Sequence, residues 1–451
     1  MTTILKQTLR DSAAARWTAL LIVSFTMMFA YFFTDIMAPL EPILTASTEN
    51  GGLGWTSDEY GFFSGSYGFF NVFLLLLFFG GIILDKFGIR ITGILSTTLM
   101  FMGALVKWYA VSRTFEGEFM GYQMQVILAC VGFATYGVGA EMAGITVTKV
   151  IAKWFKGHEL ALAMGVQVAL ARIGTAFTMS FSLPLAKQFG GVSSNIALGA
   201  ALLCIGVISF VVYCVMDRKF DQSLNQSAAD DTEESFKFSH LALLLGNKGF
   251  WYITVLCVMF YSGVFPFMKF ATKIMVIKFG VEESTAGWIP SMLSYGTIFL
   301  TPIFGFIYDR IGKGATLMLI GSLLLTVVHV VFAIPGITSV FIAVGMMVVL
   351  GIAFGLVPSA MWPSVPKIIP MHLLGTAYAV IFYIQNIGLS MVPIAIGKIN
   401  QANTNAEGII DYTHTMSTFA AFGVIAIIIS LLLLREDGKK GYGLEKPNIA
   451  K

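Results

Sequence analysis

Twelve apolar runs of about 20 residues follow one another along this chain, and they constrain its fold more than any other feature. A run of that length crosses a bilayer as an α-helix, because a helix satisfies its own backbone hydrogen bonds in lipid. Six runs precede the longest polar stretch, at 217–248, and six follow it. The predicted spans are 17–44, 58–84, 91–112, 122–150, 159–187, 194–216, 249–278, 286–308, 315–334, 338–364, 372–398 and 414–434.

The predicted fold is an all-α membrane protein with twelve transmembrane helices in two pseudo-symmetric six-helix bundles. We expect an N-terminal bundle at 1–216, a cytoplasmic linker with an amphipathic helix at 217–248, and a C-terminal bundle at 249–451. With 57% hydrophobic and only 12% charged residues, a soluble chain of 451 residues would have nowhere to bury its apolar surface. The first run is too long for a cleaved signal peptide, so we interpret it as the first span.

The distribution of basic residues predicts the orientation of the chain. When both termini are placed inside, most of the 28 Lys and Arg residues fall in inner segments. We therefore expect both termini and the linker in the cytoplasm. The net charge of +3 gives no indication of nucleic-acid binding. The four cysteines lie inside apolar runs without the spacing of a disulfide framework or a metal cluster, so no cofactor and no metal are expected.

One short motif occurs twice, at the equivalent place in each half. A glycine lies four residues before an aspartate, on one helix face, where the missing side chain permits close helix approach. The aspartate ends the helix and can cap a neighbouring helix or pair with a basic residue, and a second glycine, three residues later, supplies the turn. We interpret this as a gating motif. Its residues are Gly81, Asp85, Arg90, Gly305, Asp309 and Arg310.

Ionisable side chains inside the spans are the main candidates for a substrate site, because an unpaired charge in a bilayer is costly. Glu141 lies in the fourth span and Arg172 in the fifth. They either pair with each other to join two helices or bind the ammonium and the carboxylate of a zwitterion. Tyr31 and Asp35 share one face of the first span. Asp35 is either a second buried carboxylate of the site or a cap near the outer end.

The seventh span carries an aromatic and basic stripe. Tyr261, Phe265, Lys269 and Lys273 follow at intervals of four residues, and Pro266 predicts a kink beside them. We place Tyr261, Phe265 and Lys273 at the substrate site. The alternative for the two lysines is that they only extend to the lipid headgroups.

Two later spans supply polar and aromatic candidates. Trp362 lies between Pro358 and Pro363 in the tenth span, and broken helices are typical of binding or gating positions in transporters. The alternative for this tryptophan is a place in the aromatic belt at the interface. Tyr383 and Asn386 bring polar groups into the eleventh span, where they either bind substrate or serve helix packing.

Several segments are similar to one family of transporters. They are 79–90, Trp154-Phe-Lys-Gly with the following His-Glu-Leu-Ala, 171–174, 265–267 with Lys273, Trp362-Pro-Ser-Val, Leu374-Gly-Thr-Ala-Tyr, and 384–389. Together they resemble the lysosomal dipeptide transporter subfamily of the major facilitator superfamily, over nearly all spans.

This resemblance implies the major facilitator fold, alternating access, and passive or weakly coupled transport of dipeptides. It further implies that a glutamate on the fourth span and an arginine on the fifth bind the two peptide termini, and Glu141 and Arg172 match those positions. The sequence shows no acidic dileucine sorting signal, and its loops are short. We therefore expect a bacterial member in the cell inner membrane, a monomer that needs no accessory glycoprotein.

Other functions remain open at this stage. An organic anion or drug porter would use Arg172, Lys269 and Lys273, and Glu141 would then be structural. A membrane sensor without transport is a further alternative, whereas an enzyme is not expected, because no nucleophile, metal cluster or phosphate loop is present. If transport is proton-coupled, we expect Glu141 or Asp35 to carry the proton.

Overall fold

The computed structural model describes residues 12–155, 159–223, 244, 246–370 and 373–447. Its helices in the first half are α1 (Ala13–Asp35), α2 (Glu41–Thr45), α3 (Ser57–Gly65), α4 (Phe69–Phe73), α5 (Leu76–Val111), α6 (Met124–Trp154), α7 (Leu160–Gln188) and α8 (Val192–Ser223). The second half contains α9 (Lys248–Phe279), α10 (Trp288–Ile311), α11 (Gly314–Ala333), α12 (Val340–Ile368), α13 (Leu374–Ala402) and α14 (Thr413–Lys440). Short 3-10 helices lie at Thr48–Asn50 and Ser66–Gly68, and a small hairpin pairs β1 (Glu118–Phe119) with β2 (Tyr122–Gln123).

Eleven helices of the described residues are long and apolar enough to cross a membrane. A further span is broken: Ser57–Phe73, which includes α3 and α4, and Leu76–Leu84, the start of α5, meet at an angle of 58°. α5 then turns at Gly88, and its remainder is the next span. The break falls at Leu75, whose φ of 55° lies in the left-handed region that a leucine rarely adopts. Counted as one span, this bent pair brings the total to the twelve that the sequence predicts.

Two predicted helix ends lie more than six residues from the ends in the structure. α1 ends at Asp35, well before the predicted 44, and the chain then turns into the short α2. Pro39, which has no backbone N–H to donate to a helix hydrogen bond, lies in that turn. α8 continues to Ser223, beyond the predicted 216. The amphipathic helix predicted in the linker falls largely on 224–243, outside the described residues.

The two halves pack together most closely on one side of the molecule. We call the side where α1 ends at Asp35 the far side, and the side where α1 begins the near side. On the far side α3 packs against α13, and α7 against α10. Gly61 and Gly397 make the first contact possible, since a Cβ on Gly61 would lie 2.6 Å from the Gly397 Cα. Similarly, a Cβ on Gly287 would lie 2.1 Å from the Met179 carbonyl oxygen.

The near side carries the tight turns of the repeated motif. Gly88 and Gly312 have φ of 74° and 78°, so both adopt the left-handed backbone predicted for the turn glycines.

The chain after α14 folds back onto the second turn. The amides of Lys313 and Gly314 donate to the carbonyl oxygens of Glu445 and Leu444, at 3.1 and 2.9 Å. The Glu445 carboxylate accepts from the Thr316 amide and hydroxyl, at 3.0 and 2.8 Å.

Candidate functional site

Glu141 lies in the middle of α6, and its carboxylate is held by a tyrosine from the broken second span. The Tyr67 hydroxyl donates to Glu141 Oε1 at 3.0 Å. Tyr67 belongs to the 3-10 helix between α3 and α4, and its backbone rests on Gly137, one turn before Glu141. A Cβ on Gly137 would lie 2.0 Å from the Tyr67 carbonyl oxygen. The glycine thus lets the broken segment approach α6 closely enough for this hydrogen bond.

Arg172 lies in α7 and is surrounded by aromatic rings from three other helices. Its guanidinium carbon is 5.3 Å from the ring centroid of Phe354, and 5.8 Å from those of Tyr31 and Phe265. These rings come from α12, α1 and α9. Each offers the negative face of its π-system to the cation. Arg172 is therefore held at the meeting point of both halves.

The two intramembrane charges do not form an ion pair with each other. No carboxylate among the described residues lies within 4.0 Å of the Arg172 guanidinium. Tyr31 lies beside both groups, within electrostatic range of Glu141 and of Arg172. In this conformation the carboxylate and the guanidinium remain separate hydrogen-bonding groups, and both lie near one tyrosine.

An aromatic wall continues from Arg172 along α9 and α12. The Phe354 ring is 5.3 Å from Phe265 and 5.8 Å from Tyr261. Trp362 Nε1 donates to the Tyr261 hydroxyl at 3.0 Å, and the Trp362 ring stacks on Phe382 at 5.0 Å. The sequence candidates Tyr261, Phe265 and Trp362 thus come together. Phe354 was missed, although its position eight residues before Trp362 places both on one helix face.

Tyr383 and Asn386 occupy a contact between the halves. The Tyr383 hydroxyl donates to the Val72 carbonyl oxygen at 3.2 Å, and its ring packs against Phe78. The buried Asn386 donates to the Phe382 carbonyl oxygen of its own helix, at 3.0 Å. In the described structure, the Asn386 Oδ1 has no hydrogen-bond partner. These contacts agree with the packing role that the sequence left open for this pair.

A first ion pair closes the far side between α1 and α9. Lys269 Nζ lies 2.6 Å from Asp35 Oδ1 and also donates to the Thr34 carbonyl oxygen, at 3.2 Å. The Tyr60 hydroxyl donates to the backbone oxygen of Lys269 at 2.6 Å. Lys269 therefore does not extend to the headgroups, because a carboxylate of the other half is within its reach.

A second pair of acidic and basic side chains lies one helical turn further along α9. Lys273 Nζ donates to Thr45 Oγ1 at 2.7 Å and lies 4.0 Å from Glu41 Oε1. The structure thus places Lys273 beside α2 on the far side, next to a glutamate that the sequence analysis did not single out. Asp35, Lys269, Glu41 and Lys273 together are called the far gate below.

Comparison with known proteins agrees with this arrangement of helices. Residues 14–393 match the Major Facilitator Superfamily. The chain is a major facilitator. The lysosomal dipeptide transporter MFSD1 of Homo sapiens is 27% identical over 379 residues, covering 81% of this chain and 76% of the human protein. The Gallus gallus protein of the same name is 29% identical over 282 residues, covering 60% of this chain and 61% of its own length.

Solved structures share the fold of this major facilitator at low sequence identity. A bacterial homologue of the human lysosomal transporter Spinster, inward-facing and unoccupied, has a TM-score of 0.72 at 14% identity, covering 95% of this chain and 98% of its own. A variant of the peptide transporter POT in complex with alafosfalin has a TM-score of 0.71 at 13% identity, covering 98% of this chain and 97% of its own. The two-bundle architecture is therefore confirmed.

The gating motifs of this major facilitator differ in part from the expectation. Among the described residues, a Cβ on Gly81 or Gly305 would meet no atom within 4 Å, so neither glycine makes the predicted close helix contact. The two halves meet on the far side, whereas both glycines lie toward the near ends of their helices. Arg90 pairs with Asp217 and Asp221 of α8, at 3.7 and 3.1 Å.

The remaining motif residues lie on the near side, beside the Gly88 turn inside α5 and at the end of α10. The Arg310 guanidinium packs over Phe306 of its own helix, 4.3 Å from the ring centroid. Asp309 precedes it in the last turn of α10. Asp85 lies on α5, three residues before the Gly88 turn.

One intramembrane charge was missed from the sequence. Lys107 of α5 is fully buried, with Nζ at 4.3, 5.3 and 4.4 Å from the ring centroids of Phe33, Phe63 and Phe133. α5 ends at Val111, so Lys107 lies one turn inside the helix, and three aromatic rings surround the ammonium within the first bundle.

Proposed function

We propose that this major facilitator carries dipeptides or related small zwitterions by alternating access. Glu141 binds the ammonium of the substrate, and Arg172 binds its carboxylate. Tyr31, between them, contacts the peptide backbone, and Tyr261, Phe265 and Trp362 line the space for side chains.

One observation carries this proposal: two opposite intramembrane charges are present, close to one tyrosine, without neutralising each other. Among the described residues, Glu141 has a hydrogen bond from Tyr67 only, and Arg172 has aromatic rings around it. A zwitterion offers each group the partner it lacks, and charge-assisted hydrogen bonds of this kind are about twice as strong as neutral ones. Such a site recognises the two ends of the substrate and leaves side-chain selectivity loose.

The relatives point to the same class of substrate. The curated proteins that match most of the chain are named lysosomal dipeptide transporters, and one structure with the same fold is a peptide transporter. The relatives are transporters, which points away from an enzyme. The proton-coupled peptide transporters carry a Glu-x-x-Glu-Arg element in the first span, and this chain has none there.

Binding to the purified protein tests the proposal. The probes are a panel of dipeptides, free amino acids, tripeptides and small organic anions, and the readouts are the shift in melting temperature and calorimetric Kd. We expect dipeptides to bind to the wild type. Loss of a charge-assisted hydrogen bond costs about 2–3 kcal/mol, so Glu141→Gln and Arg172→Lys each weaken binding by roughly 30- to 150-fold. The matched controls Glu282→Gln and Arg113→Lys, at exposed positions, leave Kd unchanged.

The pattern of loss separates the proposal from an anion porter. If Glu141→Gln binds the same ligands as tightly as the wild type, the glutamate is structural and the substrate is an anion held by Arg172. If no dipeptide stabilises the wild type, the substrate proposal is wrong.

We further propose that the protein is a monomer in the inner membrane of a bacterium, with both termini in the cytoplasm and bundles at 1–216 and 249–451. The distribution of Lys and Arg supports this orientation. Fluorescent-protein and alkaline-phosphatase fusions to the C-terminus test it, because the first is active only inside the cell and the second only outside. An active phosphatase fusion would contradict the orientation.

A further inference from the structure

Glu41 is a fully buried carboxylate between the two halves, outside the spanning helices. It begins α2, which packs against α3 of the first half and α9 of the second. Its exposed fraction is 0%, although it lies in a connection on the far side, where acidic side chains are ordinarily solvated. The position means that water can reach this carboxyl only when the far gate opens.

The Glu41 carboxylate lacks the partners that a buried charge needs. In the part of the chain that the structure describes, neither of its oxygens accepts a hydrogen bond. The nearest cation is Lys273 Nζ, 4.0 Å from Oε1, and that ammonium already donates to Thr45 at 2.7 Å. The neighbouring pair of the far gate is different, since Lys269 and Asp35 are in direct contact at 2.6 Å.

The other titratable groups near Glu41 do not compensate for its charge. Tyr60 of α3 and Tyr412, just before α14, lie within electrostatic range of the carboxyl. The Tyr60 hydroxyl donates to the Lys269 backbone, and the buried Tyr412 hydroxyl has no hydrogen-bond partner among the described residues. Asp35 and Lys269 neutralise each other. Lys273 is thus the one cation that opposes the cost of ionising Glu41 in this set of neighbours.

An ionised carboxylate in such a place is unfavourable, and binding a proton removes the cost. Burial raises the pKa of the Glu41 carboxyl above its ordinary value of 4.5, and the Lys273 ammonium lowers it by less. When the far side opens, the carboxyl meets water and returns toward its ordinary pKa. The two conformations therefore differ in their affinity for a proton at this residue.

We propose that Glu41 is a proton-binding site whose occupancy is linked to closure of the far gate. The ligand is the proton itself. It binds when the two halves close around the carboxyl, and it is released to water when they separate. Glu41 thus takes the proton-carrying role that the sequence analysis gave to Glu141 or Asp35. This assignment holds whether the transported substrate is a dipeptide or an anion.

The sign of the pH dependence follows from the raised pKa. Below the ordinary value, Glu41 is protonated in both conformations, and the closed population is greatest. Between the ordinary and the raised value, only the closed form holds the proton, so each pH unit lowers the closed-to-open ratio by about tenfold. Above the raised value, the ratio no longer changes. Acid therefore favours closure of the far side, and alkali favours its opening.

Spin-label distances across the far side test this proposal without any substrate. The labels are placed at Glu49→Cys and Glu407→Cys, two exposed positions in opposite halves, with the four native cysteines replaced by alanine. We expect the distance distribution in the wild-type gate to move from short to long between about pH 5 and about pH 9. Glu41→Gln mimics the protonated form, so its distance distribution is expected to stay short over the whole pH range.

Asp35→Asn is the matched control, because it removes a carboxylate from the same gate and leaves Glu41 in place. It is expected to lower the closed population but to keep the pH response. A wild type without any pH response overturns the proposal, and so does a Glu41→Gln variant that responds as steeply as the wild type.

A second measurement tests the proposal that Glu41 binds a proton if Glu41→Gln does not fold. Infrared titration of the wild type follows the C=O stretching band of protonated carboxyl groups. Loss of such a band with the same midpoint as the distance change supports the proposal, and Glu41→Asp is expected to shift that band. If no protonated-carboxyl band accompanies the closed state, the proposal is wrong. Failure of dipeptide binding leaves these results unaffected, so the two proposals can fail separately.

Discussion

At the scale of single residues, the candidate site depends on a tyrosine that no simple pattern reveals. The cost of charge in lipid singles out Glu141 and Arg172 directly from the sequence. Tyr67 lies 74 positions before Glu141 and reaches it because Gly137, which has no side chain, lets the Tyr67 backbone approach α6. Glu41 was missed because the first span was predicted to continue to 44, whereas the chain turns after Asp35 and buries Glu41 at the start of α2.

Tyr67→Phe is predicted to weaken dipeptide binding without abolishing it. The variant keeps the ring but loses the hydroxyl that donates to Glu141, so the carboxylate loses one positioning hydrogen bond. A bond of this kind contributes about 1 kcal/mol, which corresponds to a roughly fivefold higher Kd by calorimetry. Tyr122→Phe is the control, since the hydroxyl of Tyr122, on β2 of the far-side hairpin, donates to Asp58 of α3. Equal Kd values for both variants and the wild type would contradict a positioning role for Tyr67.

At the scale of helices, the broken second span determines how the two halves fit together. Periodicity and length predicted one continuous span at 58–84, because neither Pro nor a polar run interrupts it. The break instead falls at Leu75. The segment before it, around Gly65 and Gly68, rests directly on Ser390 of α13. Contacts between elements far apart in the chain are invisible to local patterns, whereas the turn glycines were predictable from the motif alone.

Gly61→Ala is predicted to push the equilibrium toward an open far side. The new Cβ would lie 2.6 Å from the backbone of Gly397, so α3 and α13 must separate. Overpacking of this kind costs about 1–3 kcal/mol, which lowers the closed-to-open ratio by roughly 5- to 150-fold. The spin-label pair at Glu49 and Glu407 measures the change.

Gly345→Ala is the matched control for that experiment. It lies in α12, where no described atom is within 4 Å of the new Cβ. It is expected to leave the distance distribution unchanged. A Gly61→Ala distribution that overlaps the wild type would show that this glycine contact does not hold the far side closed.

At the scale of the whole molecule, two acid–base pairs join the halves through a single helix. Lys269 and Lys273 are one turn apart on α9, and their partners Asp35 and Glu41 come from the end of α1 and from α2. The sequence predicted two bundles and a basic stripe on the seventh span, but not its partners. Pairing across bundles depends on which conformation the protein adopts, and a sequence does not encode one conformation alone.

Exchanging the charges of Asp35 and Lys269 is predicted to restore much of the closed population that each single substitution removes. Asp35→Lys places two ammonium groups together, and Lys269→Asp places two carboxylates together, so each variant lowers the closed population. The double variant recreates an ion pair of opposite polarity. We expect a coupling energy of about 1 kcal/mol or more from the spin-label populations. Strictly additive effects would show that the pair does not hold the gate.

The segment after α14 has a consequence for how the second bundle moves. Its hydrogen bonds to Lys313, Gly314 and Thr316 fasten residues 444–445 to the turn between α10 and α11. The turn and the end of α14 are thereby clamped into one rigid body, so a rocking motion must carry them together. A fluorophore attached at Lys446→Cys, an exposed position in this segment, would consequently report the tilt of the whole second bundle, even though no spanning helix is labelled.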